Sequence, residues 1–366
     1  MRSRRSPRRC SLPEVTWSVA VIGGGQAGLA VGFYLARAQR DAERRRRPAS
    51  WTFSILDGRP SPGGSWNDMW PSLRLFSPAA SSSLPGMRMP ASAEVTASAA
   101  EVVSYLDDYE ARYALPVSRE VVVDEVTRRA DGAFTIRAGD ETCSADAVVM
   151  ATGTWGRPFV PAIAGRSQFT GAQLHAHDYD GPDAFAGRRV AVVGGANSGA
   201  QIAADLSASA EVTWITRRAP RYLPDDVDGR ALFDLATRQV QGSAGGVSDL
   251  GDIVAVPPVR AARDRGLRAR WDLARWTPTG ARWQDGTEST LDAIIWCTGF
   301  RPDLDALRGL DLQRHHGIPA TRSDLPTASS AVPGLYFVGY GDWCGPASAT
   351  LVGVGRMAKA TVADLT

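Results

Sequence analysis

The sequence predicts an α/β protein of two Rossmann-like dinucleotide-binding domains, each three-layered, the first discontinuous and carrying a small antiparallel β meander. Three observations predict it. A strand, a glycine turn and a helix follow one another over residues 17–40, and the same succession returns about 170 residues later. Between the two units, short alternating apolar runs stand in place of a helix. At 366 residues the chain is long enough to divide, since single cores tend to split beyond about 250–300 residues.

Residues 17–22 (WSVAVI) form a β-rich apolar run, and residues 26–40 (QAGLAVGFYLARAQR) space their apolar side chains as a helix does. After a charged stretch, residues 51–57 (WTFSILD) give a second strand ending in Asp57. Residues 97–115 read as an amphipathic helix. From 117 to 153, EVVVDEV and AFTIRAG alternate as an antiparallel meander that closes on the buried strand AVVMATG. RRVAVVGGANSGAQIAADL opens the second unit, with EVTWITRR as its next strand. Residues 241–252 (QGSAGGVSDLGD) read as a loop. Two late buried strands, LDAIIWCTG and GLYFVG, and a helix from about Ala349 are expected to return to the first domain. The domains are thus expected at 15–160 with 295–366, and at 161–294, behind a disordered basic tail at 1–14.

Composition narrows the function classes. The chain is 44% apolar and 22% charged, as globular proteins are, and its longest apolar runs fall far short of a membrane span. A net charge of +2 does not call for a nucleic-acid partner. The arginine clusters at 2–9 and 43–48 go with a chain whose only lysine is Lys359, a bias of composition rather than a binding surface. No apolar signal segment opens the sequence, so a cytoplasmic location is expected. Cys10, Cys143, Cys297 and Cys344 form no C-x-x-C pair, which gives neither a disulfide framework nor a dithiol centre.

The chemistry gathers at the glycine turns. Gly23, Gly25 and Gly28 make G-x-G-x-x-G around Gln26 and Ala27, where backbone N–H groups and a helix N-terminus face a pyrophosphate. Asp57 offers the carboxylate for a ribose hydroxyl, at a longer gap than the usual roughly 20 residues because of the arginine-rich insertion. In PGGSW, Gly64, Ser65 and Trp66 allow a tight turn and an aromatic surface beside a flavin. The second turn, Gly194, Gly195, Ala196, Asn197, Ser198, Gly199, has alanine at the middle position. Arg217 and Arg218 end its second strand where an acid would select NADH, so the expected nucleotide there is NADPH. Gly341 and Asp342 place a carboxylate where a ribityl chain would pass.

Residues 169–179, FTGAQLHAHDY, match F-x-G-x-x-x-H-x-x-x-Y. Here the sequence resembles the class B flavin monooxygenases, and the resemblance carries Phe169, Gly171, His175 and Tyr179 into the site, with domain coupling rather than proton transfer as the motif's role. Relatives that perform Baeyer–Villiger oxidation usually have tryptophan at the last position, so Tyr179 points to heteroatom oxygenation. SLRLFSP, PDDVDGR, GDIVAVPPV, WCTGFRP and GYGDW are similar to the flavin monooxygenases associated with arsenic-resistance operons, over residues 15–365, although the basic N-terminus and the arginine-rich insertion depart from that group.

The resemblance implies FAD and NADPH as cofactors. Hydride passes to FAD, reduced flavin meets O2, and a flavin hydroperoxide delivers one oxygen atom to a soft nucleophile of a small molecule, with trivalent arsenic, sulfur and nitrogen as candidates. Arg74, Asn67 and Cys344 are the candidate substrate contacts, each with a structural contact as its alternative, and Cys344 is the candidate for capturing arsenic through a thiol. No nucleic acid or membrane is expected as a partner, and a homodimer is the assembly considered. Rival readings are an NAD(P)H oxidase releasing peroxide, a disulfide reductase, which the cysteine spacing opposes, and a non-catalytic redox sensor.

Overall fold

The computed structural model describes residues 16–46, 51–94, 96–225 and 253–366. The expected tail at 1–14 and the expected loop at 241–252 lie outside them. In chain order the first unit holds β1 (Thr16–Ile22), α1 (Gln26–Arg44), β2 (Phe53–Leu56), α2 (Ala99–Tyr113), β3 (Val117–Ser118), β4 (Glu125–Arg128), β5 (Phe134–Ala138) and β6 (Glu141–Met150). The second holds β7 (Ala172–His175), β8 (Arg189–Val193), α3 (Asn197–Leu206), β9 (Glu211–Ile215), α4 (Pro257–Asp264), β10 (Ala269–Arg270), β11 (Leu273–Thr277), β12 (Gly280–Trp283), β13 (Glu288–Thr290) and β14 (Ala293–Trp296). The chain then returns through β15 (Arg314–His315), β16 (Ile318–Pro319), β17 (Leu335–Phe337) and α5 (Leu351–Leu365).

The first sheet runs β3-β2-β1-β6-β5-β4, and its centre is parallel. β6 is long enough to serve two neighbours along one edge: its first half pairs antiparallel with β5 and its last residues pair parallel with β17. Alternation in β1 divides the core. Val19 and Val21 pack with α1, α2 and α5, while Ala20 and Ile22 join Val126, Phe134 and Ile136 of the meander on the opposite face. α2 begins as its sequence demands, with Ser98 and Glu101 closing a capping box.

The second sheet, β10-β9-β8-β14-β7, is parallel throughout. One face carries α3 and α4, and the other is covered by the antiparallel β11, β12 and β13, whose Trp276 and Trp283 pack on Ile294 and Trp296. Each unit is therefore helices, parallel sheet and meander, and the second meander is one that sequence patterning did not resolve. One expectation is corrected: the strand in LDAIIWCTG does not return to the first domain. As β14 it sits between β8 and β7, in register from Ala293 opposite Val190 to Trp296 opposite Val193. No helix among the described residues is long and apolar enough to cross a membrane.

Candidate active site

The two glycine turns are built alike. Gly23 N–H donates to Leu56 O at 2.8 Å and Gly194 N–H to Ile215 O at 2.9 Å, so each turn hangs from the end of the neighbouring strand. A methyl on Gly23, held at φ +109°, would lie 2.5 Å from Ala151 O, and one on Gly194, at φ +152°, would collide with Cys297 O. Gly28 and Gly199, on the first turn of α1 and α3, leave no room for a side chain against the Gly23 and Gly194 carbonyls. Helix and strand approach closely in both, and free backbone N–H groups are delivered at a positive helix end.

Beside the first turn lies a cleft of about 660 Å³, within the range of small-molecule sites. Its walls include Gly23 to Ala27, Asp57, Gly64 to Trp66, Met150 to Gly156, Phe300, Asp303, Gly339 and Ala349. Gly64, at φ +56°, brings its backbone so near Gly25 that a methyl would stand 2.8 Å from Gly25 Cα. Buried Asp57 sits against Gly24 and accepts from Arg119, which also pairs with Glu110. A glycine-lined bed, a helix end and an acid at the next strand's tip fit the pyrophosphate and ribose of FAD.

Two crossing segments close the cleft. Phe159 N–H donates to Gly299 O (2.9 Å), Arg301 N–H to Arg157 O (2.8 Å) and Asp303 N–H to Gly153 O (2.9 Å), so the linkers between the domains run side by side. Thr152 binds both Tyr340 Oη, at 2.7 Å, and the Asp303 carbonyl. Burial, reinforced by Asp305, raises the Asp303 carboxyl above its usual range against the pull of Arg157. Trp155 stacks on Phe300 at 4.8 Å on the cleft wall. Sequence reasoning missed Trp155, Phe300 and Asp303, although the matching triplets Ala151-Thr152-Gly153 and Cys297-Thr298-Gly299 mark where both linkers start.

The motif at 169–179 does not line the cleft. Phe169 is buried beside Trp276, and Gly171 lies against the Phe169 ring and 2.7 Å (as a methyl would measure it) from Asp292 O. His175 Nδ1 accepts from the His177 N–H (3.1 Å), which makes Nε2 the protonated nitrogen donating to Gly299 O at 3.0 Å. Burial holds its pKa below the usual value. His175 thus reaches the cleft only through Gly299 and the edge of Phe300, 4.8 Å away. The hydroxyl of buried Tyr179 donates to Asp205 at 2.8 Å.

At the second turn, Asn197 Oδ1 accepts from Val254 N–H at 2.9 Å, Ser198 is exposed, and Arg217 and Arg218 stand exposed beyond β9. The three candidate substrate contacts are corrected. Asn67 Nδ2 donates to Pro62 O (2.7 Å) and Gly64 O (3.1 Å), bracing the loop from behind. The Arg74 guanidinium pairs with Glu94 at 2.6 Å, off the cleft wall. Cys344 is fully buried, its thiol held by Gly341 O at 3.2 Å and Ser348 Oγ at 3.0 Å, and burial raises its pKa, so it cannot meet a substrate. Nor do Gly341 and Asp342 reach the cleft: Asp342 caps its own loop through Ala347 N–H (3.0 Å), and Gly339, at φ +93° beside Ala27, takes their place.

Residues 20–228 match the family described as pyridine nucleotide-disulphide oxidoreductase. The fold is similar to a two-residue variant of the flavin monooxygenase from Stenotrophomonas maltophilia, with 46% identity, a TM-score of 0.86, and 96% of this chain and 98% of that one covered. Among curated proteins, an uncharacterized oxidoreductase CzcO of Bacillus velezensis is 29% identical over 95% of this chain and 99% of its own length. The indole-3-pyruvate monooxygenase of Oryza sativa subsp. japonica is 26% identical over 89% and 87%. With two glycine turns, a cleft beside the first of them and these likenesses together, the chain belongs to the pyridine nucleotide-disulphide oxidoreductase family and is an NAD(P)H-dependent flavin monooxygenase, with FAD and NADPH as its cofactors.

Proposed function

We propose that the chain oxygenates a soft heteroatom of a small molecule, sulfur, nitrogen or trivalent arsenic, with NADPH as reductant. The observation that carries this reading is the make-up of the cleft wall. Among the described residues its ionisable side chains are Asp57, Arg59, Asp124, Asp303 and Asp305, and no histidine, cysteine or lysine joins them. An acceptor that brings its own lone pair needs no side-chain base, and the described wall offers none beyond its carboxylates, Asp303 among them. Among the described residues dithiol chemistry finds no support either, since Cys143, Cys297 and Cys344 are free and buried.

In this reading Gly23 to Gly28 and Asp57 hold the FAD pyrophosphate and ribose, Gly194 to Gly199 hold NADPH, and Arg217 and Arg218 meet its 2′-phosphate. FAD, once bound, supplies hydride acceptance and the activation of O2. The chain's own share is orientation and the exclusion of water, which the paired linkers and the Trp155–Phe300 stack support. The test turns the FAD-loaded protein over in air with NADPH and, separately, organic sulfides, amines and arsenite, counting oxygenated product and hydrogen peroxide. Product that approaches the NADPH consumed with one of these acceptors supports the reading. Peroxide equal to the NADPH consumed with all of them contradicts the reading.

A further inference from the structure

The domains meet a second time, away from the linkers. Residues 69–76 leave the cleft, where Met69 is part of the wall, and lie along α3 of the second domain. Trp70 is buried there with Tyr179, Val190 and Ala200, and Met69, Leu73 and Phe76 pack on the same cluster. Buried Gln201 accepts from Arg74 N–H and donates to Arg74 O, both at 3.1 Å, so a side-chain amide satisfies both polar groups of one backbone residue as a neighbouring strand would. One turn further along α3, on the same face, Asp205 accepts from Tyr179. The Tyr179 ring meets Trp70 edge to face at 6.0 Å. The other end of this helix is the second glycine turn.

Two linkers running side by side define an axis, and a body held only by an axis can turn about it. A contact off the axis removes that freedom. We infer that Gln201 is a positioning residue: with Asp205, Tyr179 and Trp70 it clamps residues 69–76 to α3 and sets the separation of nicotinamide and flavin across which hydride passes. The inference rests on the two-cofactor site described above. Transfer requires reacting atoms about 3–3.5 Å apart, and a displacement of about 1 Å can cost a hundredfold. It also gives the motif a physical task, because Tyr179 joins the inter-domain segment to the helix that carries the nucleotide turn.

The test compares Gln201→Leu and Gln201→Glu with the parent, all FAD-loaded. Four quantities are measured: FAD content, the Kd for NADP+ by calorimetry, hydrogen exchange of residues 69–76, and the anaerobic rate of flavin bleaching at saturating NADPH. Gln201→Leu is expected to bleach at least tenfold more slowly, with faster exchange at Arg74, unchanged FAD content and a Kd within twofold. Gln201→Glu keeps the acceptor for Arg74 N–H and loses the donor, so it should fall between. Should the leucine variant not fold, the glutamate variant is judged alone by the same criterion of slowed bleaching. Parent-like bleaching in the folded variants overturns the clamp. A parent that takes up no FAD or no NADP+ instead overturns the site on which the clamp rests.

Discussion

The Trp66 indole N–H donates to Gln26 Oε1 at 3.1 Å, and the Gln26 amide in turn donates to the Ala349 carbonyl at 2.7 Å. The glycine turn, the PGGSW loop and the approach to the last helix are thereby held as one wall of the flavin cleft. Gln26→Leu removes both bonds at similar volume. At about 0.5–1.5 kcal/mol each, FAD affinity should fall roughly 5- to 140-fold. Fluorescence titration of the apoprotein with FAD measures this, and an unchanged Kd contradicts it.

Gly28→Ala drives a methyl into the Gly23 carbonyl. The turn and helix must part, at a cost of about 1–3 kcal/mol, and the FAD bed opens with them. The variant should melt lower and purify without yellow colour. Gly139→Ala is the control: φ there is +62° with open space around it, so it bears backbone strain alone and should keep its flavin.

Stability should depend on His175. Burial depresses its pKa, and its Nδ1 accepts from the His177 N–H, a role the protonated ring cannot fill. The neutral ring's contribution is complete above the unfolded value of about 6.5 and is lost as pH falls from there through the lower folded value. Melting temperature should therefore drop between pH 7 and 5, and His175→Gln should flatten that slope. Equal slopes in both proteins would exclude the assignment.

Arg217 and Arg218 stand exposed beyond β9, and in the proposed reading they pair with a 2′-phosphate. Losing one charged hydrogen bond costs about 1.5–3 kcal/mol, so Arg217→Ala should raise the KM for NADPH roughly tenfold or more and leave that for NADH nearly unchanged. Steady-state kinetics with both cofactors decide it.

Cys344→Ser should leave turnover with and without arsenite equal to the parent's, because the thiol is sealed between Gly341 and Ser348. Native protein should likewise resist alkylation at Cys344. Modification at that position by iodoacetamide at neutral pH would show that the loop opens.

What was legible in the sequence follows from what spacing encodes. Gly23, Gly25 and Gly28 between strand and helix fix a backbone shape by themselves, and the structure places them, with Asp57, at the cleft or directly behind it. Direction was not encoded. Asn67, Arg74 and Cys344 lie near cofactor motifs in sequence, yet their side chains turn to Pro62, Glu94 and Ser348. Residues 293–296 are buried on both faces, and such a run carries no mark of which sheet it enters. The pairing with β8 and β7 decides that, through contacts remote in sequence. Trp155, Phe300 and Asp303 come together only because two linkers cross, which no local pattern reports.

Anaerobic titration of the FAD-loaded protein with NADPH tests the central claim most directly, since it asks whether one chain brings both rings within reach. Bleaching of the flavin band to completion at one NADPH per FAD is the predicted result. A protein that takes up FAD yet keeps its oxidised spectrum under excess NADPH would contradict it.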